Sequence, residues 1–169
     1  MSKAIRRREF LAKGWKWGLG LIGAAGVWTS WDLLRHLETG AFGGKVRTVA
    51  PSAIPDTGAV EVPAARAYLV RIDGEIRALS VKCPHLGCKV PYCPSSNQFE
   101  CPCHGSFFNR AGEYRSGPSP RGMDGYAVEV GEDGLVYVDT DETLLGPPPG
   151  PETINEPVAG PSCTESGEV

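Results

Sequence analysis

Apolar and polar residues alternate along two stretches of this 169-residue chain, and a turn signal splits each stretch. Ala67-Tyr68-Leu69-Val70-Arg71-Ile72 and Glu75-Ile76-Arg77-Ala78-Leu79-Ser80-Val81 flank Asp73-Gly74, a pair that favours the tight turn of a β-hairpin. Tyr126 to Val130 carries apolar side chains at every second position. It meets Leu135-Val136-Tyr137-Val138 through residues 131–134, which predicts a second hairpin. Gln98-Phe99-Glu100 predicts a short strand feeding Cys101, and no ten-residue amphipathic helix is legible between Val46 and Asp141. The pattern therefore predicts a mainly β, antiparallel domain over residues 46–141, with residues 82–121 inserted between its hairpins.

The N-terminal pattern is different. From Trp17 to Leu34 the chain is mostly apolar, broken by Thr29, Ser30 and Asp32. With a few flanking residues it reaches the ~20 needed to span a bilayer, which predicts a transmembrane anchor over residues 17–36 in contact with membrane lipid. Trp15 and Trp17 at one end, and Trp28 and Trp31 at the other, fit an interfacial aromatic belt. The glycines at 14, 18, 20, 23 and 26 weaken an isolated helix but permit close packing on neighbouring membrane helices. Residues 1–16 carry six basic side chains against one acidic, which places them in the cytoplasm by the positive-inside rule. Arg7-Arg8-Glu9-Phe10-Leu11 resembles a twin-arginine export signal. The arginine run abuts an apolar segment, so it reads as an export address rather than a nucleic-acid arm. A cleaved signal peptide is the alternative to a retained anchor, but no A-x-A site follows the apolar run.

Residues 37–45 contain three glycines between Leu37 and Gly44 and read as a flexible hinge; His36 beside them reads as an interfacial polar residue. Residues 142–169 form a proline-rich tail. Its last 24 positions hold six prolines and four acidic side chains, so an extended, partly disordered segment is expected. Beyond residue 16, eleven basic side chains face nineteen acidic ones. Such a surface suits steering of a basic electron acceptor, and equally suits plain solubility.

The chemistry lies in Cys83-Pro84-His85-Leu86-Gly87-Cys88 and Cys101-Pro102-Cys103-His104-Gly105-Ser106. Each segment offers one cysteine and one histidine plus a surplus cysteine, and the chain has only three histidines. Two thiolates and two imidazoles on paired loops suit a mixed-ligand [2Fe–2S] cluster, with sulfur ligands on one iron and nitrogen ligands on the other. Structural zinc is the alternative for such a set, and would make the chain a structural assembly module. Gly87 and Gly105 fit places where the backbone turns sharply and brings N–H groups near sulfur. Such donors, and the hydroxyl of Ser106, would stabilise negative charge on a cluster and raise its potential.

The stretch from Cys83 to Pro120, with C-P-H-L-G-C, C-P-C-H-G-S and Gly117-Pro118-Ser119-Pro120, resembles the cluster-binding part of the Rieske proteins of cytochrome bc-type quinol:cytochrome oxidoreductases. The resemblance implies that Cys83 and Cys101 bind one iron of a Rieske-type [2Fe–2S] cluster, and His85 and His104 the other. It implies a disulfide between Cys88 and Cys103, and a third loop at 117–120 that shields the cluster. It also implies an oxidoreductase subunit in the respiratory chain. His104, with His85 nearby, would meet quinol on a cytochrome b subunit and accept an electron coupled to a proton. A c-type cytochrome would take the electron. The expected location is the plasma membrane, single-pass, with the head on the extracytoplasmic side. The small Rieske subunits of exported molybdenum oxidases of the arsenite oxidase type resemble the sequence as well.

Two features remain beside that frame. Cys93 and Cys163 are left once the other four cysteines are assigned, and a bond between them would pin the tail to the cluster region. Phe108 stands where many proteins of the resembled family have a tyrosine that donates to a ligand sulfur. Its lack of a hydroxyl predicts a lowered potential and a menaquinol-linked complex.

Overall fold

The computed structural model describes residues 7–34 and 43–163. The start of the basic segment, most of the predicted hinge with His36, and residues 164–169 of the tail lie outside the described residues. The chain divides into two units, 1–39 and 40–169.

In the first unit, α1 runs from Arg7 to Leu34, so the twin-arginine-like run opens the helix instead of preceding it. Large apolar side chains, including Leu19, Leu21, Ile22, Val27 and Trp28, stand exposed on it. Yet no helix among the described residues is long and apolar enough to cross a membrane. This qualifies the anchor expected at 17–36. The helix has ample length, but Lys13, Lys16, Thr29, Ser30, Asp32 and five glycines dilute its apolar content.

The second unit carries two antiparallel sheets. The larger one contains β1 (Lys45–Arg47), β2 (Val60–Val62), β3 (Ala67–Ile72), β4 (Glu75–Ser80), β9 (Gly125–Val130) and β10 (Val136–Leu144), in the order β1-β10-β9-β4-β3-β2. The smaller one contains β5 (Tyr92–Cys93), β6 (Gln98–Cys101), β7 (Ser106–Phe108) and β8 (Tyr114–Ser116), in sequence order. The second sheet is thus inserted between the β3–β4 hairpin and the β9–β10 hairpin. Asp73 at φ 52° and Gly74 at φ 83° supply the two positive-φ positions of the β3–β4 turn.

Strand β3 is buried on both faces, and the period of two divides its side chains between two cores. Ala67 and Leu69 join Ile54, Val62, Ala78, Val136 and Val138. Tyr68, Val70 and Ile72 join Leu79, Val90, Phe99, Phe108, Met123 and the two cysteines Cys83 and Cys101. The second core binds the two sheets together. It seats the cysteines of the inserted segment in the same apolar mass as the scaffold, so their loops stand on a rigid base.

The last part of the chain departs from expectation. Strand β10 extends to Leu144, with a register shift between Asp139 and Thr143, so the domain does not end at residue 141. Residues 145–163 have almost no regular secondary structure but are tied down along their length. Arg110 pairs with Glu156, and Arg115 pairs with Glu152 at 3.0 Å and also bonds the Glu156 carbonyl. Ala159 N–H donates to the Ser96 carbonyl, Ile154 is buried, and Cys163 is bonded to Cys93. Polar contacts and a covalent link replace the apolar burial that the composition lacks.

This strap is acid-sensitive. The Arg110 guanidinium holds the Glu156 carboxyl below its ordinary value of 4.5, and Arg115 does the same for Glu152. Burial pushes Glu113 up, but hydrogen bonds from Thr153 and Asn109 outweigh it and leave that carboxyl lowered as well. Groups depressed in the folded state add stability that is fully present above 4.5 and is lost as pH falls through their folded values. Melting temperature is therefore expected to hold level above about pH 5 and to fall below it. Glu156→Gln should lower the plateau and flatten the acid limb; an unchanged acid limb would show that Glu156 does not contribute.

Candidate functional site

Three loops of the inserted segment converge. The first, Cys83 to Cys88, follows β4; the second, Cys101 to Ser106, links β6 to β7; the third, Gly117 to Pro120, follows β8. The first two repeat one turn. Gly87 N–H donates to the Cys83 carbonyl at 2.9 Å, and Gly105 N–H donates to the Cys101 carbonyl at 3.1 Å. Both glycines sit at positive φ, 80° and 69°, where a side chain would be strained. An isolated bridge between Lys82 and Lys89, with Cys83 N–H on the Cys88 carbonyl at 2.8 Å, closes the first loop.

These turns sort the four candidate ligands by depth. Cys83 and Cys101 are free thiols in the buried floor. The rings of His85 and His104 lie at the outer side, His104 exposed, with centroids 5.0 Å apart and planes at 87°. Cys88 and Cys103 are joined by a disulfide, which clamps the first loop to the second. Sulfur atoms of Cys88, Cys101 and Cys103 fall within 4.8 Å of one another. Two of those three are bonded to each other, so only Cys101 of that group can ligate through a thiolate.

Electrostatics fit a metal group here. Burial pushes the Cys83 thiol up, and the neighbouring Cys101 adds to that; the His85 backbone N–H and the Ser106 hydroxyl oppose it. A buried thiolate pair is costly without a countercharge, and bound iron supplies one. The residues present fit a two-sulfur, two-nitrogen cluster.

The third loop packs on the second. Gly117, at φ 98°, has no room for a side chain: a Cβ there would fall 2.3 Å from the Gly105 carbonyl oxygen and 2.5 Å from Ser106 Cα. Ser119 N–H donates to Ser106 Oγ at 3.2 Å, and both serines are buried. Sequence reasoning missed the residues that hold the tail against the inserted segment. Asn109, Glu113 and Arg115 bond the tail residues Glu152 and Thr153 across 37 to 43 positions, a separation that leaves no signal in local spacing.

Comparison with known proteins points to one domain family. The model of the family described as the Rieske [2Fe-2S] domain matches residues 45–136. The chloroplastic cytochrome b6-f complex iron-sulfur subunit of Volvox carteri is 43% identical over 74 residues, 43% of this chain and 36% of that one. The cytochrome b6-f complex iron-sulfur subunit of Chlorobaculum thiosulfatiphilum is 35% identical over 71 residues, 42% of this chain and 39% of that one. The chain thus aligns with less than half the length of these relatives. Among solved structures, a naphthalene 1,2-dioxygenase variant bound to phenanthrene superposes with a TM-score of 0.52 at 22% identity, over 65% of this chain and 29% of that one. That likeness concerns the fold alone.

Proposed function

This chain belongs to the Rieske [2Fe–2S] domain family and binds a Rieske-type cluster, and we propose that it is the electron-transfer subunit of a membrane quinol:cytochrome c oxidoreductase. The observation that carries the proposal is the pair of disulfide-clamped loops, with two free thiols below and two imidazoles above. Cys83 and Cys101 would hold one iron, His85 and His104 the other. Bound there, the cluster supplies one-electron acceptance at a potential between roughly −150 and +300 mV, raised by its neutral imidazole ligands.

The chain's own residues do the rest. His104 is exposed, and its free imidazole nitrogen accepts a hydrogen bond from a quinol hydroxyl and takes its proton there. His85 completes the face. The apolar floor of Phe99, Phe108 and Met123 keeps water from the sulfur side. Quinol is held by a cytochrome b subunit, and a c-type cytochrome receives the electron. The two disulfides support an oxidising, extracytoplasmic location for the head. The exposed apolar side chains of α1, with tryptophans near both ends, support membrane attachment with the basic end in the cytoplasm. Purification of the native assembly tests this: co-purifying b-type haem supports it, and a molybdenum partner in its place overturns it.

Phe108 carries the quinone reading. It is fully buried in the core that contains Cys83 and Cys101, and it has no hydroxyl to donate to sulfur. A missing donor lowers the potential, which suits a low-potential donor such as menaquinol. Phe108→Tyr is expected to raise the midpoint by about 40 mV, the equivalent of ~1 kcal/mol for one hydrogen bond and one electron. An unchanged or lowered midpoint would remove the tuning step, and a complex that prefers ubiquinol would remove the quinone step.

A further inference from the structure

Phe108 faces Tyr114 across the β7–β8 pair, and it is Tyr114 that has the hydroxyl. That hydroxyl donates to the Gly117 carbonyl at 2.6 Å. The contact ties the first residue of the third loop back onto β8. Gly117 in turn lies so close to Gly105 and Ser106 that a Cβ could not be inserted. Two residues on, Ser119 N–H donates to Ser106 Oγ at 3.2 Å, and the Ser119 hydroxyl donates to the Arg121 carbonyl at 2.8 Å. The third loop is therefore held at both ends, by a tyrosine before it and a backbone carbonyl after it.

The consequence falls on one hydrogen atom. A serine hydroxyl has a single hydrogen to give. With Ser106 Oγ already accepting from Ser119, that hydrogen is left for another acceptor, and Ser106 is the register partner of the free thiol residue Cys101 across β6–β7. Ser106 is fully buried, so no water competes for it.

We propose that Tyr114 is a positioning residue for the iron–sulfur site: its hydroxyl clamps the third loop so that Ser119 N–H holds Ser106 Oγ and leaves the serine's one hydrogen for an acceptor in the cluster-binding floor. The inference rests on the reading of Cys83 and Cys101 as iron ligands and needs neither the quinol nor the cytochrome. Tyr114 acts through the loop and touches no ligand itself.

Four forms of the cluster-loaded full chain test this: the wild type, Tyr114→Phe, Ser106→Ala and the double variant. Redox titration and hydrogen exchange of a peptide spanning residues 115–121 are the readouts. Tyr114→Phe should keep full iron content, speed exchange at Ser119, and lower the reduced-to-oxidised ratio at a fixed ambient potential about threefold, as for loss of one ordinary hydrogen bond. Ser106→Ala should lower it further, and the double variant should match Ser106→Ala alone, because the tyrosine works only through that hydroxyl. An unchanged midpoint in Tyr114→Phe overturns the proposal. So does an equal drop on top of Ser106→Ala, or loss of iron from Tyr114→Phe. Cluster retention in Cys83→Ser would instead strike the ligand reading, and is measured separately.

Discussion

His104→Ala is expected to leave the protein without its cluster, and His85→Ala, Cys83→Ser and Cys101→Ser are expected to do the same. The loops hold two free thiols and two imidazoles, with nothing in reserve. The surplus cysteines of both loops are consumed in the Cys88–Cys103 bond, and neither loop carries a second histidine. A neighbour cannot step in, because Cys83 and Cys101 are set in the core shared by both sheets while the imidazoles are carried on tight glycine turns. Iron and acid-labile sulfide per chain, with the visible spectrum, measure the loss. Full occupancy in any of the four variants would refute the assignment of that residue. Cutting the Cys88–Cys103 bond should be milder. It closes a 15-residue separation, worth about 3 kcal/mol in the chain-entropy account, and it touches no iron. A cluster of reduced occupancy and raised oxygen sensitivity is the expected result.

The site was legible because its chemistry is local. Cys83, His85 and Cys88 lie within six residues, as do Cys101, Cys103, His104 and Ser106, and the turns they need are written in Gly87 and Gly105. The β3–β4 hairpin was legible for a similar reason, since Asp73-Gly74 names its own turn and period-two burial names the faces. Legibility failed where order comes from a distance. Strand β10 continues past Val138 through Asp139, Thr140, Asp141 and Glu142, polar residues that look like a loop; pairing of Thr143 and Leu144 with Tyr126 and Gly125 carries the strand on. The tail looked too polar to order, and by burial alone it is. Its anchors are Arg110 and Arg115, 41 to 46 positions before the Glu156 groups they bind, and composition cannot display such a pairing. The helix shows the opposite failure: the apolar run is plain in sequence, but glycines and charged ends keep it below the apolar content of a membrane span.

Cys163→Ser is expected to cost about 4 kcal/mol of stability, more than any single ion pair of the strap contributes. The bond it removes spans 70 positions, and closing so long a loop takes a large share of entropy from the unfolded chain. Position 163 is the better one to change, because Cys93 is almost wholly buried and a serine there would add the cost of an unmatched hydroxyl. For a domain of this size the loss corresponds to a fall of roughly 15 °C in melting temperature, measured without reductant. Reductant should lower the wild type toward the variant and leave the variant itself less affected, since only Cys88–Cys103 then remains to be cut. Iron content at room temperature should stay whole, because the strap's hydrogen bonds end on Glu100, Asn109, Arg110, Glu113, Arg115, Gly122, Asp124 and the β5–β6 turn, and none of these is Cys83, His85, Cys101 or His104. A melting temperature within about 2 °C of wild type would show that the ion pairs hold the strap unaided. Loss of iron would show that the strap belongs to the site and does not merely brace it.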